Sequence, residues 1–125
     1  PVALLTLGMT YTEMGRLDEA IAVHEKLRDV RFWSFALAST LALAGRADEA
    51  LEMAGSINEE PFNAAPLIII HGSLRNDEEV FRWMAEEKKI HMPWYPWFIT
   101  WFPQTRYLAD DPRMRELAKE LNLQL

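Results

Sequence analysis

The sequence predicts an all-α fold, with about three antiparallel helix pairs stacked in a short right-handed array and closed by a capping helix. Three observations predict it. The segment Gly15-Arg16-Leu17-Asp18-Glu19-Ala20-Ile21 recurs as Gly45-Arg46-Ala47-Asp48-Glu49-Ala50-Leu51, identical at five of seven positions at an offset of thirty. A degenerate third copy, Arg75-Asn76-Asp77-Glu78-Glu79-Val80-Phe81, falls at the same offset. Around each copy the apolar residues recur with helical spacing. The units run over residues 1–30, 31–60 and 61–90 of one domain, and residues 91–125 hold an aromatic segment and the cap.

In the first unit, Leu4, Leu7, Gly8 and Tyr11 share one helix face. Gly15 ends that helix, because glycine accepts the positive φ that a C-terminal cap requires. The second helix turns Ala20, Val23, His24 and Leu27 inward, with Asp18 and Glu19 in its first turn, where carboxylates complement the helix dipole. Ala20 and Ala50 are small where two helices would cross closely. Unit two repeats the faces as Leu37, Ala38 and Leu41, then Ala50, Met53, Ala54 and Ile57. Unit three repeats them as Leu67, Ile68 and His71, then Val80, Trp83 and Met84.

From Trp94 to Phe102 six of nine residues are aromatic, against 11% for the chain. Pro93 and Pro96 suit a first helical turn and Pro103 stops one, so a short helix is expected with Trp94, Trp97, Phe98 and Trp101 on one face. Asp111 is the expected N-cap ahead of Pro112. Met114, Leu117, Ala118 and Leu121 then form the stripe of a final helix of about ten residues, with Asn122 as its left-handed C-terminal cap.

Leu7-Gly8, Tyr11, Gly15 and Ala20 resemble the tetratricopeptide repeat, a family of two antiparallel helices per unit. The family's period is about 34 residues; the shorter period here implies a shortened helix or inter-unit turn. Phe81, Trp83, Trp97, Pro103, Leu108, Asp111-Pro112-Arg113, Leu117 and Leu121-Asn122-Leu123 resemble the C-terminal end of such regions in bacterial multidomain signalling proteins. There they follow adenylate-cyclase-type or winged-helix domains. The resemblance implies a non-catalytic protein–protein interaction or scaffold module from a longer bacterial regulatory protein, and the absence of cysteine fits a cytoplasmic location. Its partner would be another protein or a neighbouring domain.

Composition excludes several other classes. The net charge of −6 opposes a nucleic-acid surface, which needs cationic density. Arg82, Lys88 and Lys89 are interleaved with Glu86 and Glu87 and read as a solvated helix face. Absence of cysteine removes disulfides, thiolate metal sites and cysteine nucleophiles. No apolar run reaches the roughly 18 residues of a membrane span. His24 and His71 lie on packing faces and His91 near a helix end, without metal-ligand spacing. Ser34, Ser39, Ser56 and Ser73 lack a nucleophile context, and Glu59-Glu60 and Glu78-Glu79 read as loop and first-turn charges. No enzyme activity, metal or cofactor is expected.

Carrying the family's concave positions across gives Leu5, Met9 and Thr12 from unit one, Phe35, Ser39 and Ala42 from unit two, and Ala65, Ile69 and Gly72 from unit three. These are apolar or small, so the resemblance does not extend to the carboxylate clamp of chaperone-binding members. They suit an amphipathic helix or the chain's own aromatic tail. Phe35→Glu is expected to abolish partner capture without unfolding the chain. Three uses remain open for the aromatic residues Trp94, Trp97, Phe98 and Trp101: covering the third repeat, forming a partner or homodimer surface, or lining a small-molecule sensing pocket.

Overall fold

The computed structural model describes residues 1–57, 59, 63–93, 95–100 and 102–122. Every regular element among them is helical: α1 (Val2–Glu13), α2 (Leu17–His24), α3 (Phe35–Leu43), α4 (Ala47–Gly55), α5 (Ala64–Ser73), α6 (Asp77–Lys89), α7 (Tyr95–Thr100) and α8 (Pro112–Glu120). Two 3-10 turns, Glu25–Leu27 and Arg106–Leu108, extend α2 and precede α8. The strongest packing pairs α1 with α2, α3 with α4, and α5 with α6. α3 also packs on α2 and α5, and α7 packs on α6 and α8.

The thirty-residue repeat is a repeat of backbone geometry. Gly15, Gly45 and Arg75 stand at φ 77°, 84° and 58°. Each amide bonds the carbonyl three residues back (Thr12, Ala42, Gly72), and the following amide bonds the carbonyl five back (Tyr11, Leu41, His71) at 2.9 Å. This paired pattern closes a helix with a left-handed residue. Arg16 and Arg46 then pair with Glu19 and Glu49 in the first turn of the next helix. Arg75 breaks the glycine pattern, and its guanidinium lies 3.9 Å from the centre of the Tyr107 ring. Tyr107 in turn donates to Asp77 at 2.6 Å. That anchorage offsets the cost of a side chain at positive φ.

The predicted inner faces largely coincide with the core. Ala20, His24, Leu27, Leu37, Ala38, Leu41, Ala50, Ala54, Leu67, Ile68, His71, Val80, Trp83 and Met84 are all buried. Leu7 is the exception. It is 43% exposed, whereas its register mates Leu37 and Leu67 are 0% and 3% exposed. Those mates lie on helices packed between neighbours, whereas α1 packs chiefly on α2 and more lightly on α3.

The C-terminal helix forms where the sequence predicts it, with Met114 and Ala118 buried, but Leu121 follows its last turn and is exposed rather than part of the apolar stripe. Asp111 accepts the Arg113 amide at 2.8 Å, Pro112 opens α8, and Asn122 is left-handed at φ 58°. His91 plays the same backbone role after α6, at φ 53°.

The single aromatic face is a misreading. Trp97 is 55% exposed, while Phe98 is 1% exposed and stacks on Phe102. Successive residues on a helix point about 100° apart, and here that step carries Trp97 off the buried side that holds Phe98. Tyr95, Phe98 and Ile99 form the buried side of α7. Trp94 and Trp101 lie outside the described residues.

Candidate functional site

α1, α3 and α5, the first helix of each unit, contribute the walls of a cavity of about 510 Å³. Leu5, Met9 and Thr12 come from α1, Phe35 and Ser39 from α3, and Ile69 and Gly72 from α5. Seven of the nine sequence-predicted groove residues therefore meet in one place. Ala42 and Ala65 do not join them: Ala42 packs against Leu37, Leu41 and Ala50, and Ala65 is in the main core.

The sequence offers the aromatic tail as one occupant of this groove but does not identify the turn that forms its fourth wall. Phe102, Pro103 and Gln104, the turn after α7, close the cavity against α5. Gly72 makes that approach feasible, since a Cβ there would stand 2.6 Å from the Gln104 carbonyl oxygen. Thr105 Oγ1 donates to the Phe98 carbonyl at 2.6 Å and fixes the turn. Arg106 reaches Glu13 of α1 at 3.8 Å across the mouth. The available signal was a small residue, Gly72, facing the groove from a helix with no turn to make.

His24 also lines the cavity and joins three helices. Its Nδ1 is 2.7 Å from Thr40 Oγ1 of α3, and its Nε2 is 3.2 Å from the Leu5 carbonyl of α1. The ring occupies the space that a Cβ on Gly8 would fill, 2.0 Å from Nε2. Burial lowers the His24 pKa, against the opposing pull of backbone partners at Leu5 and Ala36. Burial also lowers that of His71, with weaker contributions from Glu79, Arg82 and Glu59.

A pH dependence follows. Both histidines bind a proton more readily unfolded, near the ordinary value of 6.5, than folded. Stability is then fully present above about pH 6.5 and falls as the pH drops below it. Urea unfolding at pH 7.5, 6 and 5 should show a progressive loss, reduced in His71→Phe. A flat or rising profile would contradict this assignment.

Phe35 is a wall and a core residue together. It is buried, 6.0 Å from Phe32 and 6.1 Å from Trp33 between ring centres. Phe35→Glu would thus place a charge in the core and unfold the chain, contrary to the sequence-based expectation. Met9 is half-buried at the cavity and is the position suited to that test.

Among the described residues, no group of three or more His, Asp or Glu side chains could hold a metal ion. No helix among them is long and apolar enough to cross a membrane. No protein-family model, curated protein or solved structure matches the chain.

Proposed function

We propose that the chain is a non-catalytic protein–protein interaction or scaffold module built from tetratricopeptide-type helix pairs, the C-terminal part of a bacterial regulatory protein. One observation carries the reading: residues thirty positions apart on three helices line a common apolar cavity. Function of this kind is shape. Packed helix pairs hold Leu5, Met9, Phe35 and Ile69 in fixed relation, and a partner gains affinity by burying a few large side chains against them.

The test uses peptides selected on the wild-type chain from a display library. Met9→Glu should weaken their binding by about tenfold or more, because an unpaired carboxylate would have to be desolvated. Its circular dichroism should match wild type. Unchanged affinity would move the binding face elsewhere.

A second reading, a small-molecule sensing domain, is favoured by the cavity's size, which falls within the range of about 300–1,000 Å³ typical of ligand pockets. The homodimer reading rests on exposed Trp97. A strictly monomeric mass at micromolar concentration would remove it.

A further inference from the structure

One ridge of α1 has the composition of an interior and lies on the outside. Ala3, Leu7, Thr10 and Met14 follow i, i+4, i+7 and i+11, so they line up on one side of the helix and its C-cap. All four are exposed. The same register holds Trp33, Leu37, Thr40 and Ala44 in the second unit, and Asn63, Leu67, Ile70 and Leu74 in the third. Every one of these mates is buried or half-buried, and no position of the register in any unit carries a charge. Thr10 and Thr40 donate alike, each to the carbonyl four residues back at 2.9 Å. Thr40 also meets His24 of α2 at 2.7 Å, whereas Thr10 lies open to solvent.

Solvent does not explain such a ridge. The other helices of eight or more residues that reach the surface carry charge there, as with Glu19 on α2, Glu52 on α4, Lys88 on α6 and Glu116 on α8. A helix surface without charge is the mark of a buried one. Whatever covers the ridge must itself lack charge where it touches, as the cores of interfaces do. The exposed Leu51, Ile90 and Leu121 adjoin Glu52, Lys89 and Glu120. α7, with Trp97, is neutral but only six residues long. Among the described residues, the surface that matches the ridge in both length and neutrality is the ridge itself. At the other end of the array α7 packs on α6 and α8 on α7, so a second copy finds no open unit to stack on there.

We propose that two copies of this chain pair through this ridge, α1 against α1. Identical faces then meet about a two-fold axis and the assembly closes as a dimer. The contact sets no charge against its like, although each copy carries a net −6. It also leaves the groove free. Leu5, Met9 and Thr12 form a second ridge two positions on, about 200° round the same helix. Self-association is thereby assigned to a face other than that of Trp97.

Sedimentation equilibrium of the full chain, from micromolar to submillimolar concentration, should show a mass rising from one chain to two and no further. Leu7→Glu should weaken the pairing by about tenfold or more, because an unpaired carboxylate would have to be desolvated. Met14→Lys should weaken it likewise. Both side chains are exposed, so helix content should hold in each variant. Trp97→Glu and Leu51→Glu should pair as wild type does. In methyl NMR the Leu7 and Met14 signals should move with chain concentration while Ile69 stays fixed. A single-chain mass over the whole range overturns the proposal and leaves the ridge to a helix from another source. A dimer dissolved by Trp97→Glu, or one that survives both Leu7→Glu and Met14→Lys, overturns it and moves the contact off α1. A mass growing beyond two chains overturns the two-fold closure. Met9→Glu, on the groove ridge, should pair as wild type does, so failure of the groove reading and failure of the pairing are read separately.

Discussion

Gly8→Ala should lower the stability of the fold by about 3 kcal/mol, since overpacking costs about 1–3 kcal/mol and loss of a buried hydrogen bond a comparable amount. On helix propensity alone, the change would stabilise by roughly 0.5–1 kcal/mol. The sign reverses because the new Cβ would fall 2.0–2.6 Å from three atoms of the His24 ring. That ring cannot retreat without giving up Thr40 and the Leu5 carbonyl. Urea unfolding of a double-mutant cycle checks the cause. In a His24→Ala background the space is empty, so Gly8→Ala should become neutral or stabilising. Additive penalties would show that the two residues do not share the site.

Gly72→Ala should release the C-terminal turn from the groove. Its Cβ would meet the backbone of Gln104 at 2.6 Å from the oxygen and 3.1 Å from the carbon, and a backbone cannot swing aside as a side chain can. The turn is tied down on both sides, by Thr105 to Phe98 and by Tyr107 to Asp77. The expected result is a loss of about 2 kcal/mol, within the usual range for overpacking. Amide exchange should accelerate over residues 102–108 and stay unchanged in α2 and α4. Exchange unaltered in 102–108 would place the strain elsewhere.

The parts of this fold legible in the sequence are those fixed by local chemistry. Gly15 and Gly45 announce left-handed helix ends, and Asp111-Pro112 announces a helix start, through backbone preferences read at single positions. Helical spacing placed His24 and His71 on buried faces. The features that were not legible depend on pairs distant in sequence. Arg75 tolerates its left-handed backbone beside Tyr107, thirty-two positions on. Gly8 reads as one more small residue until the His24 ring is placed beneath it. The groove residues were found by carrying the concave positions of the resembled family onto the repeat, whereas Phe102, Pro103 and Gln104 belong to no repeat and reach the cavity through tertiary packing. Leu7 shows the converse: its spacing is that of a buried residue, and burial at that position comes from a neighbouring helix.

The central claim is that the surface shared by α1, α3 and α5 is a binding face. Methyl NMR of the full chain, titrated with a peptide selected on it, tests this most directly. The account predicts that the methyl signals of Leu5, Met9 and Ile69 shift together and saturably. Shifts confined to the exposed Leu51, Ile90 and Leu121, with Met9 and Ile69 silent, would contradict it.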